Sequence, residues 1–378
     1  MRCPVETQKP PLIWLNIFIF SFSLLLALVA TPWYAWEHGL TLWHVIWFFV
    51  AFSFTNLSIT AGYHRLWSHK TYEAHSLLRV LFAIGGAFSL QNSILHWSSD
   101  HRRHHRHVDD FDKDPYSASR GFWFSHIGWM LRHYNQESYS DYTNCRDLQK
   151  DPIVMWQHRY YVPLAIATNL GIPLMLGALH QDYAGMLLVV GALRLVVSHH
   201  STFFINSLAH IWGSQPFTDK NSARDNGILA IFTFGEGYHN FHHIFENDYR
   251  NGIYWWQYDP TKWLIKSCSW IGLTKKLRVT PQLKIDTAKA AQIFKKAKMK
   301  LEQRAEAASL QEQLQREFDC LTALMKEYYE AKKQLLESKR QNAAQKYENA
   351  LLTIRYKQLK ADLAERYRLW NQFVEAYA

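Results

Sequence analysis

The sequence predicts an all-α membrane protein, with four transmembrane helices followed by a long helical tail. Three observations predict it. Four apolar runs are long enough to cross a bilayer. The short loops inside each pair of runs lack Lys and Arg, while the flanking segments are rich in both. After Pro281 there is neither Gly nor Pro, and Ala, Glu, Lys, Gln and Leu dominate, all good helix formers. A mean hydropathy of −0.26 hides this division, because the polar tail offsets an apolar first two-thirds. The 378 residues suffice for one sizeable domain and an appendage, which we place at 1–280 and 281–378.

The first run, residues 12–31, carries no charge. No small-residue cleavage site follows it and a second run begins at once, at about 40–62, so the first is read as an uncleaved helix. A third run, 160–180, and a fourth, 184–205, are separated only by a tight turn and make a transmembrane hairpin. Residues 32–41 hold Glu37 and residues 181–183 hold Asp182, with no Lys or Arg in either. Both loops therefore face away from the cytosol, and both termini face it. The stretch 77–95 is apolar but interrupted by Arg79, Gly85, Gly86, Gln91 and Asn92. We read it as a helix against or dipping into the membrane face, since a fifth span would separate the histidine clusters described next.

Composition narrows the function. Aromatic residues make up 15% of the chain, with sixteen Trp, which suits membrane-interface belts. The net charge of +10 is read as cytosolic-side orientation and attraction to anionic lipid, and no nucleic-acid fold motif accompanies it. Four scattered cysteines without a CxxC pair indicate neither a zinc knuckle nor a disulfide framework. In the tail, Leu314, Leu321, Met325, Tyr328 and Leu335 recur in a partial heptad rhythm. A helical hairpin or an intermolecular coiled coil fits it, but a solvated extension with ion pairs is the plainer expectation, and no catalytic role falls there.

Three histidine clusters carry the chemistry: His64 with His69, His101 with His104 and His105, and His239 with His242 and His243. Neutral imidazole is the commonest ligand for a transition metal. An HxxHH puts three rings on one helical face. Any one cluster alone reads as surface histidines. Three clusters on one membrane side read as a polynuclear metal site. Eight imidazoles exceed one mononuclear centre and suit two metals with open positions, iron more than structural zinc. His64 and His69 are five apart, and an α-helix would splay them by ~140°. They are expected to serve different metals, or the helix to break between them. Glu236, Asp100 and Asp109 are candidates to orient an imidazole N–H from behind. His210, four residues after Asn206, is a further ligand candidate. Arg194, His199 and His200 lie inside the fourth run, where ionisable groups are functional suspects. His126 and His133 are read as packing or interfacial residues.

The segments GYHRLWSHKTY (62–72), HRRHH (101–105) with Asp114-Pro115, NSLAHIWG (206–213) and GEGYHNFHHIF (235–245) closely resemble the integral-membrane acyl-CoA desaturases of the stearoyl-CoA Δ9 type. The resemblance covers roughly residues 10–275. It implies a four-helix stem bearing a cytosolic helical cap that holds a di-iron centre. It implies His64, His69, His101, His104, His105, His210, His239, His242 and His243 as ligands, with Asn206 reaching one iron through water. A bent acyl tunnel is implied at Gln91, Asn92, Trp97 and Thr202, closed near Phe52 and Asn56. The implied reaction is O2-dependent desaturation of a long-chain acyl thioester, with two electrons from a donor. Animal members carry an Arg, which meets the CoA headgroup, where Ser99 stands here, so a phospholipid or carrier-protein ester competes with acyl-CoA as substrate. No donor domain lies in the matching region, which predicts a separate ferredoxin or b-type cytochrome with its reductase. We expect a bacterial inner membrane, or the endoplasmic reticulum in a eukaryote, with a cytosolic active site.

Three rival readings remain at this point. A membrane di-iron hydroxylase shares the three histidine boxes and differs only in how an alkyl radical is resolved. A metal-binding membrane transporter would place polar groups at the midplane and show internal repeats, and neither is visible. A membrane scaffold would depend on the tail.

Overall fold

The computed structural model describes residues 9–134, 139–302, 307–341 and 346–377. Its first pair of spans is α1 (Trp14–His38) and α2 (Leu42–Ser68). There follow α3 (Ser76–Phe88), α4 (Ile94–His107) and α5 (Pro152–Arg159). The second pair is α6 (Tyr161–His180) and α7 (Tyr183–His210). The expected runs are thus all helical, but α2 and α7 continue past the apolar windows. Those extra turns carry His64 and His210, so two candidate ligands sit directly on spans.

The helix α1 is mostly lipid-facing, with Trp14, Leu15, Phe18 and Leu28 exposed. The loops at the far end of the stem meet as the charge pattern requires. Tyr34 donates to Asp182 at 2.5 Å, His44 Nε2 lies 2.9 Å from the same carboxylate, and Trp47 Nε1 donates to His180 at 2.9 Å. The helix α3 has 13 residues, or ~20 Å, too short to span. It packs against α2, α5 and α6 and resolves the ambiguous 77–95 stretch as a helix dipping into the stem.

One close approach depends on glycine. A Cβ at Gly86 would come within 2.1 Å of the buried Tyr63 ring. Gly86→Ala is therefore expected to push Tyr63, next to His64, and to lower stability by ~1–3 kcal/mol, read as thermal unfolding in detergent. Beyond the spans, α8 (His239–Ile244) carries the last cluster and α9 (Pro260–Trp270) follows it. A small antiparallel sheet pairs β1 (Glu73–Ala74) with β2 (Thr274–Lys275), tying the segment after α2 to the end of this unit.

The contacts divide the chain into two units, one of residues 1–215 with 220–279, the other of 216–219 with 280–378. The second unit holds α10 (Gln282–Leu301), α11 (Ala307–Gln341) and α12 (Lys346–Tyr377). Here a solvated extension is not what forms. Leu314, Leu321 and Met325, all from the heptad rhythm, are fully buried, and they pack with Leu301, Leu363 and Trp370 in a core of the unit's own. The rhythm therefore encodes packing within the tail.

Candidate metal centre

The first ligands rest on an unusual helix. Over Ser58–Ser68, α2 widens from α to π winding. The His69 N–H donates to the His64 carbonyl, five residues back, at 3.1 Å. Thr71 N–H to the Arg65 carbonyl at 2.9 Å and Ser68 Oγ to the Tyr63 carbonyl at 2.8 Å hold the end of that turn. In π winding, with i→i+5 hydrogen bonds and more residues per turn, residues five apart splay far less than in an α-helix. His64 and His69 consequently face the same point, 4.9 Å apart ring to ring. They join one group, contrary to the expectation that they serve different metals or flank a helix break.

The helix α4 supplies the second cluster. Arg102, between His101 and His104, donates to the Trp67 carbonyl at 2.7 Å, the Ser68 carbonyl at 3.0 Å and Asp147 at 2.7 Å. This fastens α4 to the end of α2. The helix α8 supplies the third cluster, and α7 ends at His210.

Nine imidazoles gather in two groups. One is His64, His69, His101, His105 and His242; the other is His104, His210, His239 and His243. Within each group the candidate ligand atoms lie within 4.8 Å of one another. Their Nε2 atoms point at each other. His69–His101 are 2.7 Å apart, His64–His242, His105–His242 and His239–His243 are 3.0 Å apart, and His104–His243, within the second group, are 3.4 Å apart. Two nitrogens each ~2.1 Å from one ion sit about 3 Å apart, so these spacings fit shared cations. The His210 Nε2 atom is buried without a hydrogen-bond partner, as a waiting ligand nitrogen would be.

The opposite ring nitrogens are held from outside. Asp114 lies 2.9 Å from His104 Nδ1, Glu246 3.2 Å from His105 Nδ1, Tyr116 3.3 Å from His101 Nδ1, and Ser222 2.7 Å from His210 Nδ1. Glu236 lies 2.9 Å from His64 Nδ1, an electrostatic contact out of line for a hydrogen bond. Such partners fix each ring and its tautomer. Burial, then the neighbouring imidazoles, hold His69, His101, His239, His242 and His243 well below the ordinary histidine range. Burial brings His105 down to about 4. These rings are neutral at pH 7, with lone pairs available to a metal. Burial by itself would raise the Glu236 carboxyl, but His64 and Arg65 bring it down to about 2. It therefore stays anionic.

Some candidates sit elsewhere. Asp100 contacts His96 at 3.3 Å and Arg103 at 2.9 Å, and no ligand ring. Asp109, by contrast, lies 4.0 Å from His210 Nδ1 and accepts from the Ser222 N–H at 2.6 Å and from the same Ser222 hydroxyl that contacts His210. Asp114, Glu246, Tyr116 and Ser222 escaped the sequence reading, although Asp114 stood in a quoted motif and Glu246 follows His243 by one helical turn. Asn206 is half-buried, four residues before His210. Ser99 is buried and donates to Asn144 at 2.8 Å, so this position does not face solvent.

Among the implied substrate residues, Trp97 is the one seen against the ligand rings of His64 and His101. Trp97 stacks on His101 with ring centres 4.9 Å apart. Gln91 donates to Thr202 at 2.9 Å and Asn56 to Ser198 at 2.7 Å. Phe52 packs edge-on against Phe234. The backbone of Asn92 has φ 75° and its N–H donates to Tyr161 at 2.8 Å. Asp114→Asn keeps the shape but weakens the hold on His104, and is expected to cut metal affinity ~10–100-fold, measured by chelator competition.

Comparison with known proteins agrees with this geometry. A probable acyl-CoA desaturase of Schizosaccharomyces pombe is 48% identical over 237 residues, covering 62% of this chain and 49% of that protein. Acyl-CoA desaturase 1 of Saccharomyces cerevisiae is 48% identical over 245 residues, covering 65% of this chain and 48% of that protein. An sn-2 palmitoyl-lipid 9-desaturase of a Nostoc species is 35% identical over 283 residues, covering 74% of this chain and 94% of that protein. The match thus spans about half the length of the two yeast relatives. The family pattern described as "Fatty acid desaturase" runs over residues 41–270, well beyond the histidine clusters at either end, and on that extent the chain belongs to the fatty acid desaturase family.

Proposed function

We propose that this protein is a membrane acyl-lipid desaturase that converts a saturated long-chain acyl thioester, acyl-CoA, to its cis-Δ9 product at a histidine-ligated iron pair. The observation that carries the reading is the pair of inward-facing imidazole groups, all nitrogen donors, next to an apolar stem. A nitrogen-rich set of five and four ligands suits iron with positions left for O2, and Asn206 would reach the second ion through water. Iron, when bound there, supplies the oxidising power that no side chain has. In balance, O2 takes up the two hydrogens lost by the acyl chain together with two donor electrons and two protons, and leaves as two waters.

The protein's share is placement. Trp97 covers one face of His101 and excludes water from the ligand edge. Gln91 and Thr202 close the stem side of the cluster, and Phe52 and Asn56 lie deeper in α2, where a chain entering the stem would end. An apolar slot of fixed shape decides which methylenes lie beneath the metals. The Lys- and Arg-rich ends favour a cytosolic metal site, and this basic face would receive an acidic electron donor, a ferredoxin or a b-type cytochrome. The buried Ser99 leaves the thioester carrier to contacts elsewhere.

Expression in a desaturase-deficient host, with fatty-acid profiling by mass spectrometry, tests the reading. The expected product is a Δ9 monounsaturated acid. A hydroxy acid, or no modified acid with iron bound, would overturn it.

A further inference from the structure

We propose that Arg194, with His199 and Thr202, clasps the elbow between α3 and α4 and so sets which carbon–carbon bond is oxidised; this rests on the desaturase reading above. The helix α3 ends inside the stem, where its last carbonyls have no water to turn to. Arg194 on α7 answers them. Its Nη1 donates to the Phe88 carbonyl at 2.8 Å, and its guanidinium lies 3.7 Å over the Phe88 ring. Its Nη2 donates to Asn169 at 3.0 Å and its Nε to the Val190 carbonyl at 3.0 Å. It is fully buried, and among the described residues no carboxylate pairs with it. Ionisable groups at such depth are costly and persist where function needs them.

The clasp continues along the same helix. His199 Nε2 lies 3.0 Å from the Ser89 carbonyl and donates to it. The chain then turns through positive φ at Leu90 (54°) and Asn92 (75°). Between them, Gln91 is tied to Thr202 at 2.9 Å. Ser93 caps α4, accepting from the His96 N–H at 3.3 Å, and α4 carries His101, His104 and His105. The helix that provides the three clasping residues ends at His210, a member of the second histidine group. One span thus holds both a ligand and the elbow from which three other ligands and Trp97 project. Shifting the elbow by ~1 Å slides α4 and Trp97 along the acyl chain while the imidazoles still bind metal.

The test compares Arg194→Met and Arg194→Lys with the wild-type full chain in host membranes. It reads double-bond position by mass spectrometry and iron per chain after purification. Arg194→Met is expected to keep its iron, since all nine imidazoles remain. Its fraction of products with a displaced double bond should rise roughly tenfold. Arg194→Lys, which retains one donor for the Phe88 carbonyl, should show a smaller rise. Less product with unchanged double-bond position, or an unchanged enzyme, would overturn the proposal. If Arg194→Met fails to accumulate, His199→Phe keeps a ring there but removes the tie to the Ser89 carbonyl, at a position outside the residues assigned to the acyl tunnel. A displaced double bond there supports the clasp, and an unmoved one overturns it. A wild-type chain that makes no double bond at all would overturn the desaturase reading instead.

Discussion

Replacing His242 with alanine is expected to abolish desaturation and to remove about half of the bound iron. The His242 Nε2 atom sits 3.0 Å from those of both His64 and His105, so it joins all three histidine segments in the five-membered group. Losing it leaves four rings around a hole that water fills. Removing an outer partner typically costs ~10–100-fold in metal affinity or activity, and removing a ligand itself costs at least that. The measurement is the monounsaturated fraction in a complemented host, paired with iron analysis of the purified protein. His104→Ala should act in the same way on the four-membered group. His96→Gln is the control. His96 is buried but contacts Asp100 and Tyr142, outside both groups, and its replacement should leave iron content intact. Full iron in the His242 variant would mean that the rings do not hold metal.

Why the ligands were readable and their surroundings were not follows from chain distance. HxxHH on a helix advertises one face, and two such segments with a third histidine pair, His64 and His69, pointed to a shared centre. The π winding of α2 could not be read this way. An α-helix splays residues five apart, and only the carbonyl of His64 meeting the His69 N–H reveals that the turn is wide. The outer partners were missed for another reason, because turns and loops rather than a helical repeat deliver them. Ser222 reaches His210, and Tyr116 reaches His101, only because loops return. Asp100 misled by adjacency. One position before His101 is about 100° away around α4, on the side shared with His96 and Arg103. The span ends were placed short because His64 and His210 are polar, and hydropathy stops where ligands begin. In the tail, the heptad positions were visible but their partners, such as Trp370, were not separable from surface residues by pattern alone.

Arg65→Met should be the most damaging change that touches no ligand. Arg65 follows His64 in the π turn and is 1% exposed. Its Nη2 contacts Glu236 at 2.8 Å and Asp259 at 3.0 Å, and its Nη1 donates to the Tyr249 carbonyl at 2.8 Å. Glu236 in turn faces His64, and Asp259 accepts the N–H groups of Asn251 at 2.9 Å and Lys262 at 2.8 Å. The arginine therefore joins the ligand-bearing turn, the loop before α8 and the cap of α9. Methionine fills the space but leaves two buried carboxylates without their cation. Breaking a buried pair from one side costs ~3–5 kcal/mol, a large part of an ordinary folding free energy. Arg65→Lys should recover little, since one ammonium cannot bridge two carboxylates as a fork does. Combining Arg65→Met with Glu236→Gln should cost less than the sum of the two, with a coupling of ~0.5–3 kcal/mol. Denaturant unfolding in detergent measures all five proteins: the parent, the three single variants and the double variant. Strict additivity, or an Arg65→Met protein as stable as the parent, would show that the network does not hold the metal-site elements together.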